Sequence, residues 1–269
     1  MHMKNYFLPF VFLAVFSLNS CISNKKVTYL QNKEEKAELE EDKLLSYQIP
    51  EYKLQYNDII DVKVLTAEDM IEKGFSAGEE GNTMNRSGMG QNGGDIYYMT
   101  GYTIDKDGNI RLPLAGNVRV KDMSLEEARL AIEKSLRKYV NTELYVRVKL
   151  GGIRYTAFGE FRKPGKYVVL QDRMTIFEAI ANAGDMTVVA KRDEVMLIRQ
   201  YPEGTKLHMV DLNDRSIIQS PYYFIQPNDQ IYAEPMKVRE IGTGENTAQT
   251  LALVFSAITA VALIINLSN

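Results

Sequence analysis

The sequence predicts an α+β chain: two small mixed units in succession, with a short apolar leader before them and a long apolar helix after them. Three observations carry this reading. Short strands with period-two alternation are interleaved with two well-capped helices, so neither element type dominates. The pattern occurs twice, each time with an Asn-Asp pair beside a strand, at Asn57-Asp58 and at Asn228-Asp229. The chain of 269 residues, 45 % hydrophobic and 25 % charged, has the ordinary globular mixture and suffices for one large or two modest domains.

The leader comes first. Lys4 precedes an apolar stretch from Tyr6 to Leu18 that is too short to span a bilayer, followed by Asn19, Ser20 and Cys21. This is the layout of a secretory signal, residues 1–20, and Cys21 is the chain's single cysteine, so no internal disulfide can form. Residues 32–43 then hold six acidic and three basic side chains with almost nothing to bury, and residues 21–47 are expected to be an acidic tether.

From Tyr52 the pattern changes. Ile60, Val62 and Val64 alternate with Asp61 and Lys63, predicting a half-buried strand entered through the Asn57-Asp58 turn. Residues 74–101 hold eight of the eighteen glycines, so the expectation is a long loop inserted over 66–101. GYTIDKDGNIRLPLAG reads as two strands joined at Asp107-Gly108, a strong hairpin dipeptide. A calcium loop over Asp105, Asp107 and Asn109 is rejected, because Gly116 stands where a bidentate glutamate is required.

Ser124 with Glu127 makes a capping box for a helix whose Leu125, Ala128, Ile132, Leu136 and Tyr139 share one face. ELYVRVKL, with Val146, Val148 and Leu150 on one face, closes the first unit at 48–152. In the second unit, 153–236, a strand around RYTAFGEF returns through a Lys163-Pro164-Gly165-Lys166 turn to YVVL. Thr175 with Glu178 caps a helix that Gly184 ends, and strands at EVMLIR, KLHMVDL and QIYAEP follow. Two hairpins on one helix outline a β-grasp. Asp58 and Asp229 are read as turn formers, since asparagine before them takes left-handed backbone geometry cheaply.

Residues 248–267 include ten Leu, Ile, Val or Phe. As a helix they reach about 30 Å, the depth of a hydrocarbon core. The span is placed at 247–267. Lys237 and Arg239 precede it and no positive residue follows, which runs against an ordinary inner-membrane anchor. Ala252, Ser256, Thr259, Leu263 and Asn266 form one stripe, suited to a lumen or to packing against a neighbouring helix, and a single-helix anchor is the simpler alternative.

The formal charge of −3, with lysine and arginine spread along the chain, leaves nucleic acid without a binding surface. Two histidines, one of them His2 in the leader and the other His208, leave no hydrolytic triad or zinc set, so no enzyme activity, catalytic residue, metal or cofactor is expected. A glycosidase built on Asp58 and Glu160 lacks any marking motif.

Taken together, YKLQYNDIIDVKV, GYTIDKDGNIRLPLAGNVRV with SLEEARLAI, and LYVRVKL resemble the polysaccharide export domain, while FGEFRKPGKYVVL, TIFEAIANAG and QPNDQIYAEP resemble the SLBB (β-grasp) domain that follows it. The chain resembles the Wza-type outer-membrane polysaccharide export lipoproteins over roughly residues 50–235. LNSC resembles a lipobox, which implies acylation of Cys21 and attachment to the outer membrane from the periplasmic side. The resemblance further implies a homo-oligomeric ring, an octamer in the best-known member, whose C-terminal helices close into a barrel among outer-membrane lipids. Its partners would be a polysaccharide chain and an inner-membrane co-polymerase or tyrosine kinase. Three positions depart from the family pattern: Asn57 and Asn228 stand where glycine is usual before aspartate, and Asp185 replaces a second glycine after Gly184. A periplasmic glycan-binding or assembly lipoprotein without a pore is the alternative; its sixteen tyrosines are candidate sugar platforms, though tryptophan is absent.

Overall fold

The computed structural model of the protein describes residues 24–33, 44, 51–73, 96–237, 252, 254–259 and 263. A short helix α1 (Asn24–Val27) comes first, followed by β1 (Ile59–Thr66), α2 (Ala67–Lys73), α3 (Ile96–Thr100), β2 (Tyr102–Thr103), β3 (Asn109–Leu112) and β4 (Gly116–Arg119). Helix α4 (Leu125–Leu136) and β5 (Leu144–Leu150) complete the first unit. β1 pairs antiparallel with β5 from Ile60↔Leu150 to Thr66↔Leu144, and with the short β2 on its other edge.

The capping box of α4 is complete: the Ser124 hydroxyl accepts from the Glu127 N–H at 3.2 Å and the Glu127 carboxylate accepts from the Ser124 N–H at 2.7 Å. That pins the register in which Ala128, Ile132 and Leu136 are buried, with α4 packed on β5 and β4.

The second unit contains β6 (Ile153–Gly159), β7 (Gly165–Val169), β8 (Met174–Thr175), α5 (Ile176–Asn182), β9 (Val195–Tyr201), β10 (Gly204–Val210), a 3₁₀ turn (Arg215–Gln219), β11 (Phe224–Ile225) and β12 (Asp229–Ala233). Its five-stranded sheet has the order β10-β9-β12-β6-β7. Two antiparallel hairpins, β6-β7 and β9-β10, are joined by β12, which runs parallel to β6 and antiparallel to β9. One face carries Tyr155, Ile231 and Leu197 inward toward α5, and the Tyr155 hydroxyl donates to the Ala179 carbonyl at 2.7 Å. Helix α5 ends in a Schellman pattern, with Gly184 N–H to Ala181 O and Asp185 N–H to Ile180 O, both at 3.0 Å. The buried apolar side chains of the two units form one continuous cluster.

Several expectations are corrected. The hairpin expected at Asp107-Gly108 forms one turn later: β3 and β4 pair around Pro113–Ala115, and β2 joins β1 instead of β3. Asp107-Gly108 is a tight turn in which the Asp105 carboxylate accepts from the N–H groups of Asp107 (2.9 Å) and Asn109 (2.8 Å). Tyr139 is 60 % exposed, because α4 has ended before it. The loop expected over 66–101 holds two helices, α2 and α3; residues 74–95 lie outside the described ones. Pro164 does not sit in a tight turn, since Gly165 is already paired with Ala157 and the bend falls at Arg162-Lys163, held by bonds to the Asp185 and Ala183 carbonyls.

Part of the stretch expected to be a tether, 21–47, is docked, and most of the remainder lies outside the described residues. Residues 24–33 dock on the second unit, with Leu30 N–H on Leu212 O and Gln31 N–H on Asn213 O, because Tyr29 supplies an aromatic anchor. Among the described residues no helix is long and apolar enough to cross a membrane. The span expected at 247–267 falls largely outside the described residues, as do Asn266 and Cys21. Ala252, Ser256 and Thr259 are helical and exposed, and the Thr259 hydroxyl turns back onto the Phe255 carbonyl at 2.8 Å.

Candidate functional site

The two Asn-Asp turns are geometric twins that meet where the units join. Asn57 has φ 70° and Asn228 φ 66°. In each turn the aspartate N–H donates to the carbonyl three residues back, Asp58 to Gln55 and Asp229 to Gln226, both at 3.2 Å. The aspartate carboxylate in turn accepts from that glutamine's N–H, at 2.8 Å for Gln55 and 2.7 Å for Gln226. The repeated unit is therefore Gln-x-Asn-Asp, a spacing that starts two residues before the Asn-Asp pair itself.

Each buried carboxylate has a different partner. Asp58 accepts from the Tyr52 hydroxyl at 2.6 Å and from the Asn228 side-chain amide at 3.2 Å, the second bond crossing between the units. Burial pushes its carboxyl up to about 6, against the pull of Tyr52, Gln55, Arg154 and Asn228. The same burial, and the Asp58 charge, hold the Tyr52 phenol well above its ordinary value. Asp229 is gripped by Arg199, Nη2 to Oδ2 at 2.7 Å and Nε to Oδ1 at 3.0 Å, with side chains 4 % and 0 % exposed. Desolvation still raises Asp229, and Arg199 opposes the rise. Nothing local in the sequence marks Arg199 as the partner, since it lies on β9 and meets Asp229 only through sheet pairing.

Beside these turns lies an open cleft of about 210 Å³. Asn57 borders it from the first unit, while Arg154, Thr156, Lys166, Asn228 and Gln230 border it from the second, with Tyr155 and Gln200 completing the wall. Register explains the grouping: Lys166, Thr156 and Gln230 are cross-strand partners on β7, β6 and β12, on the sheet face opposite α5. His208 is elsewhere, stacked on Tyr222 at 4.4 Å and 3.0 Å from the Tyr201 hydroxyl, its pKa lowered by desolvation and by Arg199 and Lys206. The remaining turn residues, Asp107, Gly108, Pro164, Gly165 and Gly184, are not among the residues bordering the cleft.

Residues 46–149 match the family model described as polysaccharide biosynthesis/export protein. That segment is a polysaccharide biosynthesis/export domain. The domain ties the chain to polysaccharide biosynthesis or export, and its matched stretch spans the first Gln-x-Asn-Asp turn, the β3-β4 hairpin, α4 and nearly all of β5. No curated protein matches the chain.

Proposed function

We propose that this chain is one subunit of an outer-membrane conduit that passes a capsular or extracellular polysaccharide from the periplasm to the cell surface. The observation that carries the reading is the export domain at 46–149. The second unit supports it through a strand order, two hairpins bridged by a central parallel strand, that we read as a β-grasp of the SLBB kind. In this reading Cys21 is acylated, copies of the chain form a ring, and residues 247–267 of each copy line up across the outer membrane with the Ala252, Ser256, Thr259, Asn266 stripe turned to the lumen or to a neighbour. The ring works with an inner-membrane co-polymerase or kinase and carries out no reaction of its own.

Deleting residues 247–269 tests the reading. The conduit predicts loss of surface polysaccharide with the rest of the chain still folded, and rings with a narrow stem when full-length protein is extracted in detergent and imaged. Monodisperse monomers with export intact in the deletion would overturn it. A glycan-binding lipoprotein without a pore is favoured by one observation, the polar cleft between the units, and it predicts activity that survives the deletion.

A further inference from the structure

The five-stranded sheet of the second unit ends in two open edges. In the order β10-β9-β12-β6-β7 the outer strands are β10, seven residues long, and β7, five. Among the described residues nothing bonds to the outer edge of β10, and that of β7 meets only the local Gln171 N–H on the Val169 carbonyl at 3.0 Å. Free edges are usually blunted by a proline, a bulge, a charge or a covering element, because their unpaired N–H and C=O groups invite another strand. β10 has no proline and keeps unbroken register with β9 over its whole length. Leu207 and Met209 stand 61 % and 57 % exposed on it, and its Lys206 leans over the Tyr201 ring at 4.8 Å. At the other edge, Leu170 just beyond β7 is also exposed.

Direction and charge select the partner. β10 is antiparallel to β9, β9 to β12 and β7 to β6, while β12 and β6 are parallel, so β10 runs opposite to β7. A second copy rotated about an axis along the strands keeps those directions, and its β7 then lies antiparallel to β10, the more stable ladder. The row Leu207-Ile198-Gln230-Thr156-Lys166 places Leu207 and Met209 on the same face as Lys166 and Val168, the one away from α5. Lys206 is on the α5 face, where β7 offers Gly165, Tyr167 and Val169, none of them charged. Pairing β10 with β10 about a two-fold axis sets both copies' Lys206 on one face of the joint, and pairing β7 with β7 does the same for Lys166. Like charges across a strand pair are unfavourable. Head-to-tail pairing puts the two lysines on opposite faces.

We infer that β10 of one copy pairs with β7 of the next, extending one sheet from subunit to subunit with Leu207 and Met209 laid beside the neighbour's Val168. The inference rests on the reading of the chain as a ring-forming subunit and adds to it the two surfaces that meet. A head-to-tail contact of this kind can close into a ring, whereas a two-fold contact stops at a dimer.

Paired cysteines in the full-length protein, extracted in detergent, test the joint. Thr205→Cys, Leu207→Cys or Met209→Cys is combined with Lys166→Cys or Val168→Cys in the same chain, and the chain without added cysteines controls for Cys21. Mild oxidation should give, from at least one of these pairs, a ladder of disulfide-linked species beyond the dimer, while each single variant matches the control. Independently, Leu207→Lys with Met209→Lys, at two side chains already exposed, should weaken assembly at least tenfold, read by light scattering as a shift from ring to monomer with an unchanged circular dichroism spectrum. Dimers from Leu207→Cys alone would show β10 pairing with itself and overturn the inference. Rings that give no cross-link from any pair, or that persist in the double-lysine variant, would place the joint elsewhere and leave the conduit standing. Ladders from a chain that still exports after loss of residues 247–269 would keep the joint and remove the conduit.

Discussion

At the residue scale, Asn57, Asn228 and Asp185 share a physical explanation. Asn57, Asn228 and Asp185 have φ of 70°, 66° and 69°, the left-handed region that costs most side chains roughly 1–2 kcal/mol and that asparagine and aspartate enter more cheaply. Asn57→Gly should therefore be neutral within about 0.5 kcal/mol, while Asn57→Ala should cost about 1 kcal/mol, measured by urea unfolding. Asn228→Gly should be costlier than Asn57→Gly because it also removes the bond to Asp58. Asp58 gives a pH signature. Its carboxyl ionises near 3.8 when unfolded and is held at about 6 when folded. Below pH 4 both states carry the proton; between 4 and 6 only the folded state keeps it, so stability falls as pH rises, by up to about 3 kcal/mol. Asp58→Asn should remove that slope, and its stability relative to the natural chain should climb from pH 4 to pH 7. A difference that stays flat across this range would count against the buried, proton-holding Asp58.

At the element scale, what is legible in the sequence and what is not divides by range. Both capping boxes, the alternation of β5 and the glycine that ends α5 are set by residues close together in the chain, and each can be read directly; in β1 the expected alternation fails, since Ile59 is buried beside Ile60 and Val64 is 38 % exposed. The β3-β4 turn cannot, because Asp107-Gly108 satisfies its own local bonds through Asp105, leaving the strand pairing to be decided by the burial of Ile110, Leu112 and Val118. The cleft is illegible, because Lys166, Thr156 and Gln230 become neighbours only through the parallel β12-β6 pairing, and Arg154 and Arg199 carry no local signal. The joint between units is also an element-scale device. β5 and β6 are separated by Gly151 and Gly152 alone, both buried, and Gly152 has φ +88°, where a methyl group on its Cα would lie only 2.8 Å from the Val169 carbonyl oxygen. Gly152→Ala should cost at least about 1–2 kcal/mol from backbone conformation alone. It should also disturb the Asn228-Asp58 bond, read as a chemical-shift change at the Asn228 side-chain amide.

At the scale of the whole molecule, the second unit is held at two places: through the glycine joint to the export domain, and through residues 24–33, which dock on it. Tyr29 is the centre of the attachment. Its hydroxyl donates to Asp185 at 2.6 Å, its ring lies 5.0 Å from the Arg192 guanidinium and meets Phe177 edge-on at 5.8 Å. Burial and the Asp185 bond raise its phenol to about 12, which keeps the donor proton in place across the physiological range. Arg192 is 4 % exposed and its Nε and Nη1 find no hydrogen-bond partner among the described residues, so the Tyr29 face is one of few contacts compensating a buried charge. Tyr29→Ala should thus cost on the order of 2 kcal/mol and act locally. Hydrogen exchange is the measurement: the amides of Leu30 and Gln31, bonded to Leu212 and Asn213 at 3.1 and 2.6 Å, should lose protection, while those of β1 and β5 keep theirs. Tyr29→Phe should retain most of that protection, because the ring contacts survive and only the Asp185 bond is lost. Uniform loss across both units would show that the segment is part of the core and not a strap laid over it.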